Sequence, residues 1–206
     1  MMLYHALEKP WVYTLTQRLW YRHGRQQDYV GAWIQPRPGS RILDIGCGPA
    51  TLLELMTDVQ YVGYDPNPHC IAAAKARFGS RGQFHCGYLT HIPEDDVGEF
   101  DIVLANGVLH HVTDAQAQEI LSLASKALKP GGRMITRDGC YEQGQNWLAR
   151  LLLRYDRGAF VRTQQDYTAL FRSHFDVVRT EILRDALRLP YSLIHFEMVK
   201  RGAAGG

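Results

Sequence analysis

Apolar residues in this chain follow two rhythms. Short, nearly continuous apolar runs fall at Arg41–Ile45, Tyr61–Asp65, Phe100–Asn106 and Arg133–Thr136, with a weaker one over Gly82–Gly87. Runs of this length bounded by turn residues predict buried strands. Between them apolar residues recur at helical spacing: Leu52, Leu53, Leu55 and Met56, then Ile71, Ala74 and Phe78, then Ile120, Ala124 and Leu128. Asn67 before Pro68, and Thr113 with Gln116 three residues on, are helix-start signals. Strand and helix alternate five times, which predicts an α/β fold with a doubly wound, mostly parallel sheet and helices on both faces.

The two ends of the chain depart from this alternation. Leu3, Leu7, Trp11, Leu15, Leu19 and Trp20 lie near helical spacing, interrupted by Pro10 and followed by Arg18, Arg22, His23 and Arg25. Residues 1–35 read as a helical lid segment over a substrate, with Tyr4, Tyr13 or Tyr21 touching it. A plain helix on the sheet and a membrane-surface helix are the other readings. Gln27–Ile34 reads as a further helix, ended by the turn Pro36-Arg37-Pro38-Gly39. Towards the C-terminus, Gln145–Tyr155 and a stretch from Thr163 read as helices. Phe175–Leu183 and Tyr191–Lys200 read as a strand hairpin, which makes the last strand antiparallel. Residues 36–200 form the main domain, and 201–206, glycine- and alanine-rich, a disordered tail.

The first strand runs into Gly46-Cys47-Gly48-Pro49-Ala50-Thr51. Glycines at a strand-to-helix turn let backbone approach a ligand, and N–H groups at a helix start favour an anionic group. Thr51 stands where a dinucleotide fingerprint has its third glycine. Asp65 ends the second strand, 19 residues after Gly46, the distance at which an acid meets ribose hydroxyls in such folds. Its two oxygens can accept from vicinal hydroxyls.

Composition narrows the class. The chain has 206 residues and a net charge of +2, so one domain is expected and a general nucleic-acid-binding surface is not. Cys47, Cys70, Cys86 and Cys140 are scattered without a C-x-x-C pair, which suits reduced thiols in a cytoplasm. Cys47 reads as a small space-filler. No run approaches membrane-spanning length and the N-terminus has no signal-peptide core, leaving peripheral membrane contact at most.

The pattern Asp44-x-Gly46-x-Gly48 resembles motif I of the class I S-adenosylmethionine-dependent methyltransferases. Phe100-Asp101-x-Val103 followed by His110-His111 resembles their motif IV region, and Leu128-x-Pro130-Gly131-Gly132 a turn that recurs in them. The resemblance is nearest to the small-molecule, ubiquinone-biosynthesis-like (methyltransferase-11/12-like) branch. It covers residues 41–138 by motif, and implies a Rossmann-like sheet closed by a reversed strand pair. It implies S-adenosyl-L-methionine as cofactor, S-adenosyl-L-homocysteine as product, and methyl transfer to an O, N or C nucleophile of a small molecule. Asp44, Gly46, Gly48, Asp65, Pro66, Tyr88, Leu89 and Asn106 are the implied cofactor-binding residues. Where the family commonly has Gly-Asp for adenine, this chain has Gly87-Tyr88.

His110 and His111 are the candidate catalytic bases, because a histidine titrates near working pH. Being adjacent, they point different ways, so at most one faces substrate. Tyr13, Arg137 and Tyr141 are candidate substrate contacts, although Arg137 and Asp138 could instead pair with each other. His195 reads as structural. No further ligands accompany the histidines, so no metal site is expected. A nicotinamide- or flavin-linked oxidoreductase and a non-catalytic S-adenosylmethionine-binding protein are the competing readings. The sequence leaves the oligomeric state open.

Overall fold

A computed structural model describes residues 24–155 and 159–201. Residues 1–23, 156–158 and 202–206 lie outside it. The lid segment up to residue 23, Tyr13, and nearly all of the tail therefore fall outside the described residues.

Helix α1 (Arg25–Tyr29) widens into a π-type turn, Val30–Ile34. Strand β1 (Arg41–Ile45) follows, then a 3₁₀ turn (Thr51–Leu55), β2 (Gln60–Asp65), α2 (Pro68–Phe78) and β3 (Gly82–Cys86). Next come β4 (Phe100–Asn106), α3 (Asp114–Ala127), β5 (Leu128–Tyr141) and α4 (Trp147–Tyr155). The chain ends with β6 (Arg162–Thr163), α5 (Gln164–Phe171), β7 (Phe175–Leu183) and β8 (Leu193–Lys200). The strand order is β3-β2-β1-β4-β5-β8-β7, with β6 pairing the end of β5. Strands β1 to β5 run parallel, and β8 lies antiparallel between β5 and β7. The order reverses between β1 and β4, which opens a crevice at their carboxyl ends.

Alternate residues of the central strands feed two cores. Leu43, Val103 and Ala105 pack with α3 and α5 on one face. Ile42, Ile102 and Leu104 pack with Tyr29, Trp33, Ile34, Ile71 and Phe78 from α1, its π-type turn and α2 on the other. Helices thus cover both faces, as the parallel sheet requires. The caps are where the sequence puts them. Asn67 accepts from the His69 N–H at 2.9 Å, and Thr113 and Gln116 form a reciprocal capping box.

Two connections differ from the strand–helix rule. Between β1 and β2 there is only the five-residue 3₁₀ turn. The glycine turn uses up Gly46–Ala50, Ala50 sits in the left-handed region at φ 54°, and the chain is extended again at Met56. Between β3 and β4 there is only Glu94–Asp96. Pro93, three successive acids and Gly98 give that segment no helical interior. Strand β5 is longer than Arg133–Thr136. Lys129–Gly132 bulges out of the pairing, so that Phe100 faces Leu128 while Ile102 faces Arg133.

Arginines from β5 and β7 hold the π-type turn after α1 to the sheet. Arg133 donates to Ile34 O at 2.7 Å and to Glu197 at 2.6 Å. Arg179 donates to Ala32 O at 2.9 Å and lies 3.9 Å over the Trp33 ring. These bonds satisfy carbonyls that the end of the helix leaves open.

Candidate active site

The crevice holds a cleft of about 1430 Å³. Its floor is the turn after β1. The Gly46 and Cys47 N–H groups donate to Tyr64 O at 2.8 and 3.0 Å, and the Gly48 N–H donates to Asp65 Oδ2 at 2.8 Å. The turn is thus fastened to the end of β2. Gly46 has φ 73°, and a Cβ there would stand 2.5 Å from Val108 Cγ2. Only glycine fits both the backbone conformation and the space. The helix start expected after Gly48 is a single 3₁₀ turn, too short to give an anion site by its dipole. The site's polarity comes from two carboxylates instead.

Asp44 is buried. Its Oδ2 accepts from the Tyr61 hydroxyl at 2.5 Å, and its Oδ1 is buried with no partner. Burial raises this carboxyl to about 7; the Tyr61 bond opposes the shift, Asp65 adds to it and Arg137 opposes it. An orphaned acid oxygen at the floor of a cleft fits a cationic donor. Asp65 accepts from Gly48 and Asn67 N–H groups, each at 2.8 Å. Burial pushes it up and those two bonds pull it down. A carboxylate has about four acceptor sites, so Asp65 can hold the turn and still receive ribose hydroxyls.

Asn106, at the end of β4, accepts from the Tyr29 hydroxyl through Oδ1, while its buried Nδ2 has no partner. Pro66, Tyr88 and Leu89 also line the cleft. Tyr88 is 78% exposed, so it stands at the rim where a flat ring can be covered from one side.

Across the cleft, the 3₁₀ turn Leu109–His111 meets the end of β5. His110 is buried, and its Nδ1 lies 2.8 Å from Asp138 Oδ1, which also accepts the His110 N–H at 3.2 Å. Asp138 Oδ2 is buried without a partner. With a carboxylate accepting at Nδ1, the lone pair of neutral His110 is on Nε2. His111 is exposed, its ring centroid 4.0 Å from that of His110. The structure thus separates the two histidines into one with an orienting acid and one at the rim.

Arg137 and Asp138 do not pair with each other. Neighbours on a strand point to opposite faces. Arg137 lies 4.2 Å over the Tyr29 ring and lines the cleft, while Asp138 serves His110. Tyr141 is not brought to the cleft lining; it stacks under Arg150 at 5.5 Å. His195 is enclosed by the Tyr29 and Trp33 rings, at 4.9 and 5.0 Å. Burial, Arg137 and Arg179 lower it to about 3, so it stays uncharged. The cleft continues into an apolar lobe of Leu152, Tyr155, Leu187, Leu189, Tyr191 and Leu193. Among the described residues no group of three or more His, Cys, Asp or Glu is arranged to hold a metal ion. Among them too, no helix is long and apolar enough to cross a membrane.

A family model described as a methyltransferase domain matches residues 43–134, from β1 into β5. An uncharacterized methyltransferase of Synechocystis is 32% identical over 149 residues, covering 69% of this chain and 68% of that protein. The chain belongs to the class I S-adenosylmethionine-dependent methyltransferase family. A ubiquinone biosynthesis O-methyltransferase of Bradyrhizobium is 46% identical over 101 residues, 47% of this chain. The match spans only 39% of that enzyme's own length. Among solved structures, geranyl diphosphate C-methyltransferase of Streptomyces coelicolor, in complex with S-adenosyl-L-homocysteine, superposes with a TM-score of 0.71 at 13% identity. That match covers 85% of this chain and 75% of the other, and it bears on the fold alone. The family's cofactor suits the groups left open here: a carboxylate oxygen on Asp44, acceptor capacity on Asp65 and an amide donor on Asn106.

Two outcomes follow from the turn. Gly46→Ala combines overpacking with backbone strain, roughly 2–4 kcal/mol together. Its melting temperature should fall on the order of 10 °C. Val108→Ala in the same chain should restore about half of the loss, because it removes the clash and leaves the strain. Equal melting of Gly46→Ala and wild type by calorimetry would refute the close approach.

Asp44 gives a pH signature. Its folded value, about 7, lies above the ordinary carboxyl value of 3.8. The native state therefore holds a proton that the unfolded chain has released, and stability falls as pH rises through that window. Asp44→Asn, with no proton to lose, should melt higher than wild type at about pH 8 and gain little near pH 4. Thermal melts of the ligand-free proteins across that range check this; a gain independent of pH would contradict it.

Proposed function

We propose that this protein is a methyltransferase acting on the hydroxyl oxygen of a small molecule with an apolar body. The observation that carries this reading is the His110–Asp138 pair, set across the same cleft from the Gly46–Ala50 turn. S-adenosylmethionine, when bound, supplies an electrophilic methyl on a sulfonium, and its transfer to the acceptor oxygen leaves S-adenosylhomocysteine.

The turn after β1 would hold the cofactor, with Asp44 facing its cationic groups and Asp65 its ribose. Tyr88 and Leu89 would flank the base, in place of the acid that the family commonly uses there. His110 Nε2 would take the hydroxyl proton, leaving an oxygen nucleophile. Asp138 keeps the hydrogen on Nδ1 and stabilises the imidazolium that forms. A positioned base of this kind contributes roughly 10²–10⁴-fold. Arg137 lines the same cleft and would favour a developing oxyanion. The lobe of Leu152, Leu187, Tyr191 and Leu193 would receive the apolar body of the acceptor and exclude water from the reacting atoms. Relatives named as ubiquinone biosynthesis O-methyltransferases support oxygen as the acceptor atom.

The test is methyl transfer from labelled S-adenosylmethionine to a panel of phenols and aliphatic alcohols of graded apolar size, read by mass spectrometry. His110→Ala should lower turnover at least about 10²-fold while S-adenosylhomocysteine binds as before. Asp138→Asn should do nearly as much, because its amide donates to Nδ1 and forces the hydrogen onto Nε2. Full turnover in both variants would remove the base from the account. Transfer to amines alone would move the acceptor from oxygen to nitrogen.

A further inference from the structure

The His110–Asp138 pair joins two separate pieces of chain, tied to each other directly by the His110 N–H on Asp138 Oδ1 at 3.2 Å and the Gly107 N–H on Arg137 O at 2.7 Å. His110 rides on a 3₁₀ turn of three residues, whose carbonyls have no helix to receive them. Asp138 lies near the end of β5, beyond the part that pairs with β4. There β8 pairs with it on one edge, Asp138 opposite Ile194, and the two-residue strand β6 with the residues around it adds a fastening common to both pieces.

Arg162 is the centre of this fastening. It is only 8% exposed. Its Nη1 donates to Leu109 O at 2.6 Å and to Phe160 O at 2.9 Å. Its Nη2 donates to Val112 O at 2.9 Å and to Asp114 Oδ1 at 2.6 Å, and Nε reaches the same oxygen at 3.0 Å. One guanidinium therefore holds the residue before His110, the residue after His111 and the first residue of α3. The Phe160 N–H donates to His110 O at 3.0 Å. On the other side, β6 pairs with β5 through Cys140 and Arg162, and the Tyr167 hydroxyl donates to Gly139 O at 3.0 Å. The histidine turn and the aspartate strand thus share one anchor.

We propose that Arg162 is a positioning residue that keeps His110 in register with Asp138. This rests on His110 being the base proposed above. The task needs arginine, because its donors are fixed in a planar fork and can reach carbonyls on two sides at once. A lysine ammonium radiates three donors from one point and cannot span Leu109 O, Val112 O and Asp114 together. With the turn released, His110 samples other orientations. A misplacement of about 1 Å in a reacting group can cost on the order of 10²-fold in rate.

The test uses the full chain with ¹⁵N-labelled histidine, bound to S-adenosylhomocysteine, and reads the tautomer of each imidazole by NMR. Wild type should show His110 as a single Nδ1–H form. In Arg162→Lys the Nδ1–H population should fall at least about twofold, and turnover at least about tenfold, with the S-adenosylhomocysteine affinity within about threefold of wild type. If the lysine variant does not fold, Arg162→Gln, which buries no charge, is read the same way, with bound ligand stabilising the native state. An unchanged His110 tautomer in a folded, ligand-binding variant would overturn the role of Arg162. Failure of wild type to bind S-adenosylhomocysteine would count instead against the function proposed above.

Discussion

The site depends on one bond pattern at the end of β2. Asp65 accepts the Gly48 and Asn67 N–H groups, and Tyr64 O accepts those of Gly46 and Cys47. These bonds pull the loop after β1 onto the neighbouring strand, where the parallel register sets Ile45 beside Tyr64. The turn is then so tight that Val108, arriving from β4, touches the place where a Gly46 side chain would be. Asp44, buried beside it, lines the same cleft. The crevice has its floor because a carboxylate holds the turn before any ligand arrives.

The cleft has two sides with different origins. One comes from β1 and β2 and carries Asp44 and Asp65. The other comes from β4, β5 and the C-terminal segment, and carries His110, Asp138 and Arg137. Asn106 stands between them, tied to α1 through Tyr29. Asp44 oxygen, Asn106 amide and Asp138 oxygen are all buried without a partner. Leaving a buried polar atom unmet costs about 1–3 kcal/mol. At the cleft, these three are atoms that a bound ligand can satisfy.

Much of this was legible in the sequence, and the reasons differ by element. Strands β1, β2 and β4 were legible because both their faces are buried, which makes the apolar runs nearly continuous. The caps at Asn67 and Thr113 are local, so short-range signals sufficed. The place of Asp65 beside the glycine turn was legible from its distance to the glycines. The short connections were not, because apolar spacing at Leu52–Met56 does not count the residues that the turn consumes. Asp138 could have been assigned from strand parity, since Arg137 must face the other way, but its partner lies 28 residues back. The anchoring by Arg162 left no local signal, because its acceptors are backbone carbonyls far along the chain. Tyr141 lies outside the cleft lining, against Arg150, because closeness in sequence to Asp138 does not carry a side chain around the strand end.

The proposed function requires that the turn held by Asp65 receive S-adenosylmethionine. Titration calorimetry of S-adenosylhomocysteine against wild type and Asp65→Ala tests it most directly. The dissociation constant should be at least about tenfold higher in the variant, since charged acceptors and the anchor of Gly48 are lost together. An unchanged constant, or binding of a nicotinamide dinucleotide in place of S-adenosylhomocysteine, would contradict it.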